Sequence, residues 1–196
     1  MKPTLQKLSP DVEFLDVIKE AIRMKENILV SAHDDADRIG FVDACLMYLA
    51  EVEPDEHCII LEDAAALHVT SSKMIKRTAS EGNPMEELLL AALHKPAKRI
   101  IVAEARTGEI MTVLLSAWNW SHPGGMTAIA ANSVVDALTR VQRLCAQEAP
   151  RGVEALIANS LDLIVHLARG SNGPRVTELA RVKCVNETFV LKEIYT

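Results

Sequence analysis

Acidic side chains follow three short apolar runs of the chain. Ser31 ends the first run and leads into residues 32–40, which carry three aspartates against one arginine, a formal charge of −2. Glu62 and Asp63 follow the second run, and Glu104 follows the third. In a sheet of parallel strands the carboxyl ends meet at one edge, where ligands bind. The sequence therefore predicts that these carboxylates share one site, of the kind that holds a nucleotide.

The elements that position these residues alternate along the chain. Apolar runs predict strands at 27–31, 57–61, 98–104, 126–131 and 161–168, and a final hairpin of strands near 175–184 and 188–194 joined by Val-Asn-Glu. Helical spacing of apolar residues predicts helices from Ser9-Pro10 to Lys25 and at 41–52, 84–93, 107–118, 133–145 and 152–160. Residues 70–83 are polar and are predicted as a loop. This alternation predicts an α/β protein whose mainly parallel sheet is covered by helices on both faces, with an antiparallel edge.

Composition limits the class of protein. The 196 residues carry a net charge of −6 and are 49% hydrophobic, which suits one globular domain. Only 4% are aromatic, and with an acidic balance this argues against autonomous nucleic-acid binding. No apolar run approaches the roughly 20 residues of a membrane span. The amino-terminal residues lack the apolar core of a signal peptide, so we expect a cytoplasmic protein, and the four scattered cysteines are expected to be reduced core thiols.

Several ordered motifs resemble one protein family. They are Ala117-Trp118-Asn119, His122-Pro-Gly-Gly125, Ala131-Asn132-Ser133 with Asp136-Ala-Leu138, and the closing segments 157–169 and 175–178. From about Val12 to Val190 the chain resembles the C-terminal RecA-like motor domain of the conjugative-transfer and type IV secretion ATPases. The resemblance implies a RecA-like P-loop NTPase fold. We expect residues 1–26 to form a helix packed on the core and residues 27–196 to form the RecA-like domain, a single domain overall.

The sequence matches some of the family's motifs and departs from others. Glu62 and Asp63 fit its acidic box, Glu104 ends its Walker B strand, Arg106 fits the arginine beyond that strand, and His122 fits its histidine box. The second histidine of that box falls on an alanine here. We predict that these five residues are vestigial rather than catalytic, with Glu104 paired to Arg106 or a neighbour and His122 shaping its turn.

The phosphate loop departs furthest from the family's pattern. It reads Ala32, His33, Asp34, Asp35, Ala36, Asp37, Arg38, Ile39, Gly40. By position, Arg38 replaces the lysine and Ile39 replaces the magnesium-binding hydroxyl residue. Side chains along the loop block the approach of backbone N–H groups to phosphate, and the aspartates repel it. We therefore expect no useful ATP hydrolysis and no cofactor, and Asp35 or Asp37 is predicted to fill the anion site instead.

Three functions remain open at the level of sequence. The first is a non-catalytic pseudo-ATPase that regulates or inhibits a transfer or secretion system by binding a secretion ATPase or another protein of the apparatus, with self-association possible. The second is a weak ATPase that uses ATP and magnesium through Arg38, Glu62 and Glu104. The third is a metal-dependent hydrolase with His33, Asp35 and Asp37 as ligands, whereas a solvated acidic loop without metal is the simpler interpretation.

Overall fold

An eight-stranded sheet organises the protein. The computed structural model describes residues 4–149, 151–185 and 188–195. The strands are β1 (Ile28–Ala32), β2 (Cys58–Glu62), β3 (Met74–Thr78), β4 (Arg99–Val102), β5 (Met126–Ala130), β6 (Leu163–Gly170), β7 (Gly173–Val185) and β8 (Thr188–Tyr195). Their order across the sheet is β3-β2-β4-β5-β1-β6-β7-β8. Strands β1 to β6 pair in parallel, and β6-β7-β8 pair antiparallel, so the predicted sheet is confirmed. The predicted hairpin connection at 186–187 lies outside the described residues.

Helices cover both faces of this sheet. They are α1 (Leu5–Leu8), α2 (Val12–Arg23), α3 (Asp35–Val52), α4 (Met85–Leu93), α5 (Gly108–Trp120), α6 (Val134–Glu148) and α7 (Val153–Ser160). Alternate residues of each strand point to opposite faces. Thus Ile28 and Val30 of β1 join one apolar core with α1, α2 and α3, while Leu29 joins a second core with α4 to α7. None of the described helices has the length and apolarity needed to cross a bilayer.

Two helices begin elsewhere than the sequence predicts. Helix α2 is capped by Asp11, whose carboxylate accepts the N–H groups of Glu13 and Phe14, and not by Ser9. Ser9 is buried instead. Helix α3 begins at Asp35, six residues before its predicted start, because its first turn is polar and lacks the apolar spacing from which helices are predicted.

Strand β3 is missing from the sequence-based prediction, which treats residues 70–83 as a loop. Of its five residues only Met74 is buried, so the strand shows no apolar pattern. It forms because it extends the sheet at an edge, in parallel register with β2. Edge strands of this kind are commonly polar, which protects them from pairing with other chains.

The two tryptophans, which sequence alone does not distinguish, have opposite environments. Trp118 is buried and its indole N–H donates to the Ile100 carbonyl at 3.0 Å. It packs so closely on Gly125 that a Cβ there would overlap the ring. Trp120 is 84% exposed. Trp118 is therefore a core anchor of α5, whereas Trp120 contributes little to the fold.

Candidate functional site

A cleft of about 460 Å³ opens at the carboxyl ends of β2 and β4, beside the start of α3. Its lining is strongly acidic, with five carboxylates against one arginine, a formal charge of −4 with histidine neutral. The charged and titratable residues that line it are Asp35, Asp43, Glu62, Asp63, His68, Glu104 and Arg106. The predicted gathering of Glu62, Asp63 and Glu104 at one edge is confirmed.

Arg38 is turned back into the loop from which α3 emerges. It is 1% exposed, and one terminal nitrogen, Nη1, donates to the carbonyl oxygens of Ala32 and His33 at 2.8 and 2.9 Å. The other, Nη2, donates to Glu104 at 2.6 Å and to the carboxylate of Asp35. A phosphate loop presents backbone N–H groups to an anion. Here two loop carbonyls point instead at a cation of the same chain.

Glu104 is the junction between two arginines. One carboxylate oxygen accepts from Arg38, and the other accepts from Nε and Nη2 of Arg106 at 3.1 and 2.9 Å. The Arg106 side chain is 57% exposed and also lies 3.6 Å from Asp63. The hydrogen bonds that Arg106 donates to the Glu104 carboxylate raise the pKa of Arg106 above its ordinary value. The predicted pairing of Glu104 with Arg106 is thus confirmed, and both oxygens of Glu104 are occupied.

The three loop aspartates have different partners. Asp34 caps α3, because its carboxylate accepts the N–H of Ala36 at 2.9 Å. Asp37 is buried and binds Arg169 through two hydrogen bonds of 3.0 and 2.7 Å. Asp35 binds Arg38. All three aspartates lie at the start of α3, but the carboxylate that accepts a free N–H group of the helix is that of Asp34. The prediction that Asp35 or Asp37 would accept these N–H groups is wrong, because both carboxylates bind arginines.

Two further carboxylates hold the segment after β2. Glu62 accepts the N–H groups of Ala66 and Leu67, both at 3.1 Å. Asp43, on α3, accepts the N–H groups of His68 and Val69 at 2.8 and 2.9 Å. Both acids therefore satisfy backbone donors of a segment without regular secondary structure.

Sequence reasoning missed Asp43, His68 and Arg169. Asp43 could have been found from the sequence, because it is the one acidic residue in the otherwise apolar run Phe41–Leu46 of α3. Such a residue needs a partner when buried. Arg169 lies 132 residues beyond Asp37, and nothing in the local sequence links the two.

His122 lies away from the cleft. It precedes the first residue of β5, at the amino edge of the sheet, and does not line the cleft. The residue is buried, its ring Nδ1 is 2.7 Å from the Ser121 hydroxyl, and burial lowers the pKa of the imidazole. The structure therefore does not bring His122 together with Glu62, Asp63, Glu104 and Arg106.

The loop residues considered as metal ligands are also separated by their partners. Within residues 4–149, 151–185 and 188–195, no three His, Cys, Asp or Glu side chains are arranged to hold a metal ion. Asp35 and Asp37 bind two different arginines, Arg38 and Arg169, and His33 is exposed. The geometry gives no support to a metal-dependent hydrolase at this loop.

Comparison with known proteins identifies the family to which the chain belongs. A family model described as "Type II/IV secretion system protein" matches residues 7–188, so the chain belongs to that family. Among curated proteins, it is 32% identical over 178 residues to the conjugal transfer protein TrbB of Rhizobium radiobacter. That match covers 91% of this chain and 55% of TrbB, so the chain spans about half the length of this relative.

Solved structures show the same fold. The VirB11 ATPase from the Brucella suis type IV secretion system matches with a TM-score of 0.77 at 19% identity, over 90% of this chain and 54% of that one. The pilus retraction motor PilT with bound ADP matches with a TM-score of 0.76 at 18% identity, over 95% and 55% of the two chains. The predicted RecA-like fold and its resemblance to secretion ATPases are confirmed.

Proposed function

We propose that this protein is a RecA-like pseudo-ATPase that regulates or inhibits a conjugation or type IV secretion system through contacts with other proteins. One observation carries the proposal. Arg38, at the position of the family's phosphate-loop lysine, is bound by two loop carbonyls and by Glu104 within its own chain. The arginine at the lysine's position is thus held in an internal ion pair beside the cleft and is not presented to phosphate.

The electrostatics of the cleft support loss of nucleotide binding. A triphosphate entering it would face five carboxylates with one half-exposed arginine, Arg106, in compensation. Each like-charge contact near 4 Å costs on the order of 1–4 kcal/mol. Releasing Arg38 toward phosphate would also break charged hydrogen bonds worth about 1.5–3 kcal/mol each. Ile39, which lines the same cleft, offers no hydroxyl for magnesium. These costs all oppose the binding of nucleotide at millimolar concentration.

The proposed partner is a secretion or conjugation ATPase, or another protein of the transfer apparatus. The chain keeps the scaffold of the family, so its surfaces can take the place of a working motor domain. We propose that it acts in the cytoplasm and that it either inserts into a motor assembly or occupies the docking surface of a motor. In this layout helices α1 and α2 pack on the core, and the described chain from β1 onward holds the degenerate nucleotide site.

Nucleotide titration tests the proposal. We expect no change in melting temperature with ATP or ADP up to millimolar concentration, with or without magnesium. For comparison, saturation to 100 times the dissociation constant would add about 2.7 kcal/mol, or a few degrees for a domain of this size. An active secretion ATPase serves as the positive control. A magnesium-dependent shift of several degrees would overturn the proposal.

A weak ATPase is the second candidate, and the open cleft with Arg106 exposed at its wall favours it. In that case Arg38 would have to leave Glu104 to contact phosphate, and Glu104 would then be free to position water. This candidate predicts slow magnesium-dependent phosphate release that Glu104→Gln abolishes. Turnover that survives Glu104→Gln would instead indicate a contaminating ATPase.

A further inference from the structure

A surface groove, separate from the acidic cleft, lies between α4 and the edge of the sheet formed by β2 and β3. It has a volume of about 210 Å³ and walls that are mainly apolar. Ile59, Leu61 and Ile75 contribute from the strands, and Leu88 and Ala92 contribute from α4. We call this hollow the β3 groove. None of its lining residues lines the acidic cleft, so the two sites are separate.

The β3 groove exists because the helix layer stops one strand short of the sheet edge. In the parallel register Ile59 stands beside Ile75, and Leu61 stands beside Arg77, so all four side chains share a face. Helix α4 packs on Ile59 and Leu61, but Ile75 remains 46% exposed. A helix about 10 Å wide covers about two strands spaced 4.8 Å apart. Over β3, the position for the next helix is unfilled in the described chain.

The β3 groove is surrounded by positive charge, although the chain as a whole is acidic. Three cations line it, Lys73, Arg77 and Lys95, and no carboxylate is among its described lining residues. No ion pair to any of the three occurs within the described ranges. The whole chain carries a net charge of −6. A local cluster of unpaired positive charge around apolar walls therefore stands out from an acidic surface.

The spacing of the cations indicates the size of what they would bind. Arg77 lies on β3 and Lys73 immediately precedes that strand, so at about 3.3 Å per residue of extended chain their Cα atoms are at most about 13 Å apart. A separation of this size lets each cation pair with its own carboxylate on a larger partner. Along a helix, with a rise of 1.5 Å per residue, it corresponds to about two turns. Two acidic side chains flanking a two-turn apolar stripe match it.

We infer that the β3 groove docks an amphipathic helix of a partner protein, with apolar side chains on Ile75 and its neighbours and acidic side chains facing Lys73, Arg77 and Lys95. The helix would lie beside α4 and complete the helix layer over β3. The inference does not depend on whether the acidic cleft binds nucleotide. Recognition by an apolar stripe between charged ends is a common mode of helix binding in a groove.

A synthetic peptide tests the docking directly. The probe is a fluorescein-labelled helical peptide of 16 residues with leucines at positions i, i+3, i+4 and i+7 and glutamates at both ends. We expect saturable binding to the full chain by fluorescence anisotropy, weakening as salt is raised. Lys73→Glu with Arg77→Glu should weaken binding at least tenfold, and so should Ile75→Asp. The matched control Arg140→Glu with Arg143→Glu, an equal charge change at two exposed residues of α6, should leave the affinity unchanged.

A charge swap guards against loss of binding by unfolding. The same peptide with lysines in place of its glutamates should bind the Lys73→Glu/Arg77→Glu variant and not the wild type. The inference would be overturned if the acidic peptide did not bind, or if the acidic and basic peptides bound the wild type equally. It would also be overturned if the wild type proved to be a dimer in solution and Ile75→Asp made it monomeric. The last would assign the β3 groove to a second copy of this chain.

Discussion

Arg38 and Glu104 form a buried ion pair of 2.6 Å that joins the first turn of α3 to the end of β4, across 66 residues of sequence. Arg38 also holds the two carbonyls that follow Ser31 at the end of β1. The Arg38 side chain thus connects the carboxyl ends of β1 and β4. Arg38 is therefore an internal link of the fold, and the proposed loss of nucleotide binding depends on this contact.

The first prediction concerns the stability supplied by Arg38. Arg38→Met should lower the free energy of unfolding by about 3 kcal/mol, because it leaves Glu104 and two carbonyls without their buried donor. Arg106 remains to compensate part of the Glu104 charge, so the double variant Arg38→Met/Glu104→Gln should be more stable than Arg38→Met alone. Urea unfolding measures both. Arg143→Met on the exposed face of α6 is the control, expected within about 0.5 kcal/mol of wild type. If Arg38→Met lowered the free energy of unfolding by less than about 0.5 kcal/mol, the ion pair would contribute nothing measurable to the stability of the fold.

The second prediction concerns the segment after β2. Asp43→Asn keeps the shape of the side chain but removes the charge that accepts two backbone N–H groups, so we expect a loss of about 1–2 kcal/mol. Amide hydrogen exchange should quicken at His68 and Val69 by at least tenfold, while the amides of β5 change only with global stability. Glu62→Gln should give the same local effect at Ala66 and Leu67. Unchanged exchange at these amides would contradict the assigned role.

The fold and the site differ in how much of them the sequence predicts. Strands such as β1 and β6 are buried on both faces and read as continuous apolar runs, so their positions and parallel pairing follow from the sequence. Strand β3 does not, because its stability comes from pairing with β2. At the site, the strand-end acids Glu62 and Glu104 are predictable from their position. The choice of Arg169 as the partner of Asp37 depends on three-dimensional placement that local pattern does not encode. The Asp34 cap is a local contact, and sequence reasoning misses it because it predicts the start of α3 six residues too late.

The third prediction concerns the cysteine thiols. Cys45, Cys58 and Cys145 are buried and free. Burial raises the pKa of the Cys58 thiol to about 11 and also raises the pKa values of Cys45 and Cys145. The thiolate is the reactive form, so these thiols should resist modification at neutral pH. In a Cys184→Ser background, Ellman's reagent should react with none of the three within minutes in the native protein and with all three in 6 M guanidinium. Fast reaction of any of them in the native state would contradict this burial.

The last prediction is a loss of stability toward acid that depends on His166. This residue lies in β6, with its ring Nδ1 3.0 Å from the Ser31 hydroxyl, and burial lowers its pKa below the ordinary value. In the unfolded chain the pKa returns to about 6.5. Below pH 6.5 the unfolded state therefore takes up a proton that the native state resists, and the free energy of unfolding falls as pH is lowered from about 7 to 5. His166→Gln removes the titrating group and keeps a polar side chain beside Ser31, so the free energy of unfolding of this variant should depend less on pH over that window.

His94→Gln, at an exposed residue after α4, is the matched control and should leave the pH dependence of stability as in the wild type. Denaturant unfolding at pH 7, 6 and 5 measures how steeply the free energy of unfolding falls with pH for the wild type and the two variants. An equally steep fall for wild type and His166→Gln would assign the acid sensitivity to other groups.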